Sequence, residues 1–331
     1  MLEVKKLPKK INEINYFKQQ ENGCLLYSLS EKKNITILCR LENFEIENDF
    51  CIDDKTLNMI KLLAPIDSIK FEDNKIIVKS KKGNYRAKLI EKPLPIIETD
   101  YENKVEVKVK TLNSAKNFLA DEKSVLALSG IRINSCGDVV ATDRFTAFRN
   151  LNLENLESRE NASYIIVPKD FVDFINKEFG ENEKITLFFD NNKCMVNKDN
   201  LTYISRLIAG NYPNVDHIFN NLNGEELEID FADLKEKANL AKEVGFGNDN
   251  LILYTFENGN LSVNGENDYQ TKLIGNVNVI EHTFTLSLEN LYKIINSVEC
   301  EALKLYYNSA NRPIFTKENG NEILVLPVIR R

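Results

Sequence analysis

Residues 166–180 read IVPKDFVDFINKEFG. A short β-branched run gives way at Pro168 to a stretch in which Phe171, Phe174, Ile175 and Phe179 recur at helical spacing. Proline is tolerated in a first helical turn, where its missing N–H has no intrahelical partner, and the apolar residues form one stripe. The spacing predicts a strand that runs directly into an amphipathic helix. The same unit occurs twice more, as CIDDKTLNMIKLLAP from Cys51 and LSLENLYKIINSVEC from Leu286. In the last of these, Leu288, Leu291, Tyr292, Ile295 and Val298 share a face.

The sequel to each unit is also alike. SIKFEDNKIIVKSKKGNYRAKLIEKPLP, KITLFFDNNKCMVNKDNLTYISRLIAGNYP and ALKLYYNSANRPIFTKENGNEILVLPVIRR are each three alternating runs broken by Asn, Asp and Gly. Such breaks are hairpin chemistry. Each copy has a first half as well, a short strand, a helix and further strands: KVEVKV, TLNSAKNFLADE, VLALSGIRINS and DVVATDRFTAFRNL in the second copy. In the first copy PKKINEINYFKQQ takes the helix position. We therefore expect an α+β chain of three repeated domains, residues 1–104, 105–221 and 222–331, each with two helices on antiparallel sheet.

Composition narrows the function. A net charge of -7 argues against gripping nucleic acid by bulk electrostatics, though not against light contact over a small basic surface. No apolar run is long enough to span a bilayer, and MLEVKKLPKK lacks a signal-peptide core, so the cytoplasm is the expected compartment and no membrane partner is expected. Six scattered cysteines without a CxxC pair or a nearby histidine read as buried free thiols, with no metal or cofactor. Two histidines, His217 and His282, and the absence of GxxxxGK[ST], GxSxG and HExxH sequences argue against an enzyme.

In order along the chain, ALSGIRI, VVATDRFTAF, YIIVPKDFVDFI, SRLIAGNYPNV and EILVLPVIRR resemble the bacterial DNA polymerase III beta subunit, the replication sliding clamp. The resemblance covers nearly the whole chain and is poorest in the first domain, where the first helix and its loop are shorter than usual. It implies a head-to-tail homodimer of three DNA-clamp domains per chain. Strands form the outer wall and helices line a hole around double-stranded DNA. Such a ring holds by enclosure, so it needs no tight, salt-sensitive phosphate grip. The implied DNA-facing residues are Lys5, Lys6, Lys9, Lys10 and Lys18, in a segment over 5–20 carrying +4, together with Lys123 and Lys169. Asp121, Glu122 and Asp170 stand beside the last two and weaken the attraction.

The resemblance also implies a hydrophobic cleft between the second and third domains. It would receive linear peptides of the DNA polymerase III alpha subunit, the clamp loader, and repair polymerases or ligase. Matching motif by motif, its residues are Leu128, Thr142, Arg144, Phe145, Thr146, Ala147, Pro213, His217, Ile218, Leu324, Leu326, Pro327, Val328 and Ile329, with Arg312 and Pro313 on one rim. Where the family has a Gly-His-Arg-Leu run after ATD, this chain has RFTA, and Asn290 stands at a common aromatic position. A cleft of altered shape is expected. The competing expectation is a clamp-like monomer that binds replication proteins as scaffold or decoy without encircling DNA.

Overall fold

The structure, a computed structural model, describes residues 13–21, 23–30, 32–42, 46, 48–93, 101, 103–121, 125–152, 162–220, 224–244, 253–257, 260–264, 269–276, 284–308 and 312–327. In chain order the first copy supplies β1 (Ile14–Gln20), β2 (Gly23–Ser30), β3 (Ile35–Glu42), β4 (Phe50–Asp53), α1 (Asp54–Leu63), β5 (Ile66–Glu72), β6 (Lys75–Ser80) and β7 (Gly83–Lys88). Next come β8 (Asn103–Lys108), α2 (Val109–Lys116), a 3-10 turn (Leu126–Ser129), β9 (Gly130–Asn134), β10 (Val139–Thr142), β11 (Thr146–Asn150), β12 (Tyr164–Pro168), α3 (Lys169–Glu178), β13 (Lys184–Phe189), β14 (Lys193–Lys198) and β15 (Leu201–Arg206). The remainder is α4 (Asp216–Asn220), β16 (Glu225–Asp230), α5 (Phe231–Val244), β17 (Leu253–Glu257), β18 (Asn260–Asn264), β19 (Tyr269–Lys272), β20 (Gly275–Asn276), β21 (Phe284–Ser287), α6 (Leu288–Ile295), β22 (Ala302–Tyr307), β23 (Ile314–Glu318) and β24 (Asn321–Val325).

The strand-into-helix units form for local reasons. The Asp53 carboxylate accepts from Thr56 N at 2.7 Å and caps α1, and Ser287 Oγ accepts from Asn290 N at 3.2 Å to cap α6. Pro168 closes β12 with φ -67° and serves as the N-cap of α3, one residue earlier than its spacing suggested. Asp73 and Asn74, at φ 47° and 57°, supply the left-handed turn between β5 and β6.

The chain divides into two compact units, one of residues 1–106 and 185–207, the other of 107–184 and 208–331. The first unit holds an eight-stranded antiparallel sheet in the order β4-β1-β2-β3-β15-β14-β13-β8 and a three-stranded sheet β5-β6-β7. Leu201 opposite Cys39 through Ser205 opposite Ile35 join β15 to β3. One core packs α1 residues Leu57, Ile60 and Leu63 with Phe17, Leu26, Ile52, Ile76 and Val78. Tyr16, Tyr27, Leu38, Cys51, Met195 and Ile204 form a second core.

The second unit holds a nine-stranded sheet, β12-β9-β10-β11-β24-β23-β22-β16-β20, and a four-stranded one, β19-β18-β17-β21. Five consecutive pairs, from Thr146–Val325 to Asn150–Asn321, knit β11 to β24. Glycine is required at 130, because a Cβ there would lie 2.7 Å from Ile166 Cγ2 and 2.9 Å from the Val167 carbonyl oxygen. All six cysteines are free and five are buried. Burial pushes the Cys24 thiol up to about 12 and Cys51 to about 11, and it raises Cys194 as well.

One expectation is corrected. Within the segment assigned to a helix over 5–20, residues 14–20 are strand β1, so Lys18 sits exposed on a strand opposite Leu25 and not on a helix. Tertiary pairing overrides the helical spacing. Tyr16 faces Tyr27 on β2, and Phe17 stacks on Phe50 with centroids 4.5 Å apart. Lys5, Lys6, Lys9 and Lys10 lie outside the described residues.

Candidate functional site

The β10–β11 turn is built by its own side chains. Asp143 Oδ1 accepts from Phe145 N at 2.9 Å and from Thr146 N at 2.6 Å. Thr142 Oγ1 accepts from Arg144 N at 3.1 Å and donates to the Thr146 carbonyl at 2.7 Å. This Asx-type turn holds Arg144 at φ 83°, a strained value for a residue with a side chain, and pushes Phe145 outward to 65% exposure. Leu326 N then donates to the Phe145 carbonyl at 2.9 Å, continuing the β11–β24 ladder past its end.

A groove of about 410 Å³ lies where this turn, the exit of β24 and α6 meet, lined by Asp143, Phe145, Glu289, Asn290, Lys293, Leu326 and Pro327. Phe145, Leu326 and Pro327 give it apolar walls. Its polar side is an ion cluster: Lys293 Nζ lies 2.6 Å from Asp143 Oδ2 and 2.9 Å from Glu289 Oε1. Asn290 Nδ2 donates to the Leu326 carbonyl at 3.4 Å. Apolar walls beside a few fixed polar groups at strand ends are the features of a peptide-binding groove.

Below the turn lies a core cluster containing Leu128, Ala147 and Leu324, all 5% exposed or less, together with Tyr212, Val215 and Phe219 and the half-buried Ile218. Leu128, Ala147 and Leu324 were expected to line the cleft. The structure packs them into the core because α4 and Tyr212 cover them. The Tyr212 hydroxyl accepts from Thr142 N at 3.1 Å, and burial pushes its pKa up.

α4 is in turn fixed by two buried arginines. Arg132 Nη2 donates to Asp216 Oδ2 at 2.9 Å, and Arg149 reaches Asp216 Oδ1 at 3.3 Å, Asn220 Oδ1 at 3.1 Å and Glu322 Oε2 at 2.6 Å. Desolvation pushes the Asp216 carboxyl up, but Arg132 and Arg149 outweigh it and hold it below its ordinary value. Glu322 follows the same pattern, with Arg149 and Lys317 outweighing desolvation.

Of the residues expected at the cleft, Phe145, Leu326 and Pro327 line the groove, and Thr142, Arg144 and Thr146 shape its turn. Pro313 is half-buried, just before Ile314, whose partner Val325 precedes Leu326. Pro213, His217 and Arg312 are exposed and outside the groove lining. Val328, Ile329 and Lys123 lie outside the described residues, and Lys169 is exposed as the first residue of α3. Sequence reasoning missed Asp143, Glu289 and Lys293 as lining residues. The i,i+4 spacing of Glu289 and Lys293 was the available signal, but it predicts only a surface pair.

Residues 107–214 match the family model of the DNA polymerase III beta subunit central domain. A 193-residue stretch is 25% identical to the beta sliding clamp of Staphylococcus aureus, covering 55% of this chain and 50% of that protein. The chain thus spans about half the length of the curated relatives it matches. Among solved structures, the Helicobacter pylori beta clamp bound to DNA ligase peptide is similar at 19% identity and TM-score 0.78, covering 97% of this chain and 93% of that one. The beta subunit from the DNA polymerase of Streptococcus pyogenes is similar at 18% identity and TM-score 0.77, covering 98% and 95%. The central-domain match at residues 107–214 thus lies inside a chain whose fold, over nearly its full length, is that of the beta clamps.

Proposed function

We propose that this chain is a non-catalytic DNA sliding clamp of the cytoplasm, in which two copies close head to tail around duplex DNA. Its three domains would be residues 1–104, 105–221 and 222–331. One observation carries the reading: the sheets contain two completed joints and two halves that lack a partner. β3 pairs with β15, and β11 pairs with β24, each joining the last strand of a first half to the last strand of a second half. β7 and β19 hold the equivalent places in the remaining halves, and among the described strands each has one neighbour, β6 and β18. Unpaired edges are templates for another chain. Pairing β7 of one copy with β19 of the next makes a heterologous joint of the same kind, and two such joints close a ring.

Enclosure accounts for a net charge of -7 in a DNA partner, since retention does not need many phosphate contacts. The groove beside Phe145 would receive the apolar anchor of a linear peptide from the DNA polymerase III alpha subunit, the clamp loader, repair polymerases or ligase. The deciding experiment loads the protein on nicked circular DNA and then linearises the circle. Retention followed by release supports the clamp. A monomeric mass at micromolar concentration with no retention replaces it by a scaffold that binds replication proteins without DNA.

A further inference from the structure

The β5-β6-β7 sheet has one face in the core, where Ile76, Val78 and Tyr85 pack with α1. Side chains alternate across a strand, so the residues between these point to the opposite face. Register places Lys70, Ile77 and Arg86 in one row across that face and Glu72, Lys75 and Lys88 in the next, with Lys79 in a third. All five cations are exposed, and none has an ion-pair partner among the described residues. Ile77, in their midst, is only 6% exposed. Long lysine and arginine stems can lie over an apolar neighbour while their charged ends stay in water.

Lys75 and Lys88 stand directly opposite each other, an arrangement that costs stability. With Glu72 the only acidic residue in these rows, the face carries +4 in a chain of -7. We propose that this face binds the phosphate backbone of single-stranded nucleic acid without sequence preference, at a surface separate from any duplex the protein encloses. Lys75 and Lys88 sit about 5 Å apart across neighbouring strands, Arg86 and Lys88 about 7 Å apart along one strand, and Lys70 and Arg86 about 10 Å apart on either side of Ile77. A rigid duplex meets so small and flat a patch along one line. A flexible single strand brings successive phosphates to several rows. The rows hold no aromatic side chain for base stacking, so the binding is charge-driven and steeply salt-dependent.

The test is fluorescence anisotropy of a labelled oligo-dT about 20 nucleotides long, titrated with the full chain from about 25 to 200 mM salt. We expect binding that weakens steeply with salt. The variant Lys75→Gln/Lys79→Gln/Arg86→Gln, with an unchanged melting curve, loses about tenfold or more at low salt. Its log–log salt slope is shallower by about 2, as three single-strand contacts dictate. The proposal is overturned by absent binding at about 25 mM salt, by wild-type affinity in the triple variant, or by a duplex of equal length binding more tightly. Equal displacement by polyglutamate overturns it in favour of an acidic protein segment. Linear oligonucleotides need no ring closure, so a monomeric mass or failed retention on circles leaves this result independent.

Discussion

Lys293 is 9% exposed and holds Asp143, itself 15% exposed, at 2.6 Å across the groove. Removing one member of a buried pair strands the other, at a typical cost of about 3–5 kcal/mol. Lys293→Met is therefore expected to lower unfolding stability by about 3 kcal/mol in urea denaturation, and a loss within error would show that water already screens the pair. Phe145 gives the opposite expectation, because at 65% exposure it contributes little to the core. Phe145→Ala should leave the melting temperature unchanged while weakening a clamp-binding peptide about tenfold, a difference of about 1.4 kcal/mol read by calorimetric titration. Equal affinity would remove the groove from the peptide site.

Glu322 sets the acid behaviour of the same junction. Its folded-state value lies below that of the unfolded chain, so its stabilisation is complete above about pH 4.3 and is lost as pH falls through the folded value. Melting temperature followed against pH should fall more steeply below about pH 4.5 in the wild type than in Glu322→Gln. Parallel acid limbs would contradict this. At this scale little of the site was legible in the sequence. The ATDRFTA run exposed the turn, but whether Leu128 lines a surface or a core depends on Tyr212 and α4 covering it.

Among the elements, the strand-to-helix units were the most legible, because period and cap occur within a few residues of each other. β4–α1, β12–α3 and β21–α6 stand where the spacing placed them, and Asp53 and Ser287 act as caps. β1 was misread because only its partners distinguish it from a helix: Tyr16 and Phe17 gain their burial from β2 and β4. α4 was missed because five residues are too few for a period, and Arg132 and Arg149 stabilise it from distant strands. Two substitutions test the elements. Ser287→Ala should cost about 1 kcal/mol through lost capping of α6. Gly130→Ala forces a Cβ against Ile166 and the Val167 carbonyl, and should cost about 1–3 kcal/mol in denaturant melts. A neutral result would mean that β9 and β12 separate freely.

For the whole molecule, repetition was readable but the way the repeats share sheets was not. The sequence divides at the ends of the copies, whereas the compact units divide inside the second copy, since β13, β14 and β15 continue the sheet of β1–β4. Strand partners so far apart along the chain leave no local trace. Sedimentation should find a dimer whose mass is insensitive to Phe145→Ala but reduced when a proline interrupts β19. A dimer unaffected by that proline would place the contact elsewhere.

The buried cysteines have a practical consequence. Alkylation requires a thiolate, and burial has raised the thiols of Cys24, Cys51 and Cys194 far from neutrality. Of the buried cysteines, Cys24, Cys39, Cys51 and Cys194 belong to one compact unit and Cys136 to the other, where the half-buried Cys300 serves as the more accessible reference. Timed iodoacetamide labelling with peptide mapping thus turns the native sulfurs into two sets of chemical clocks, recording which unit opens first without any introduced probe.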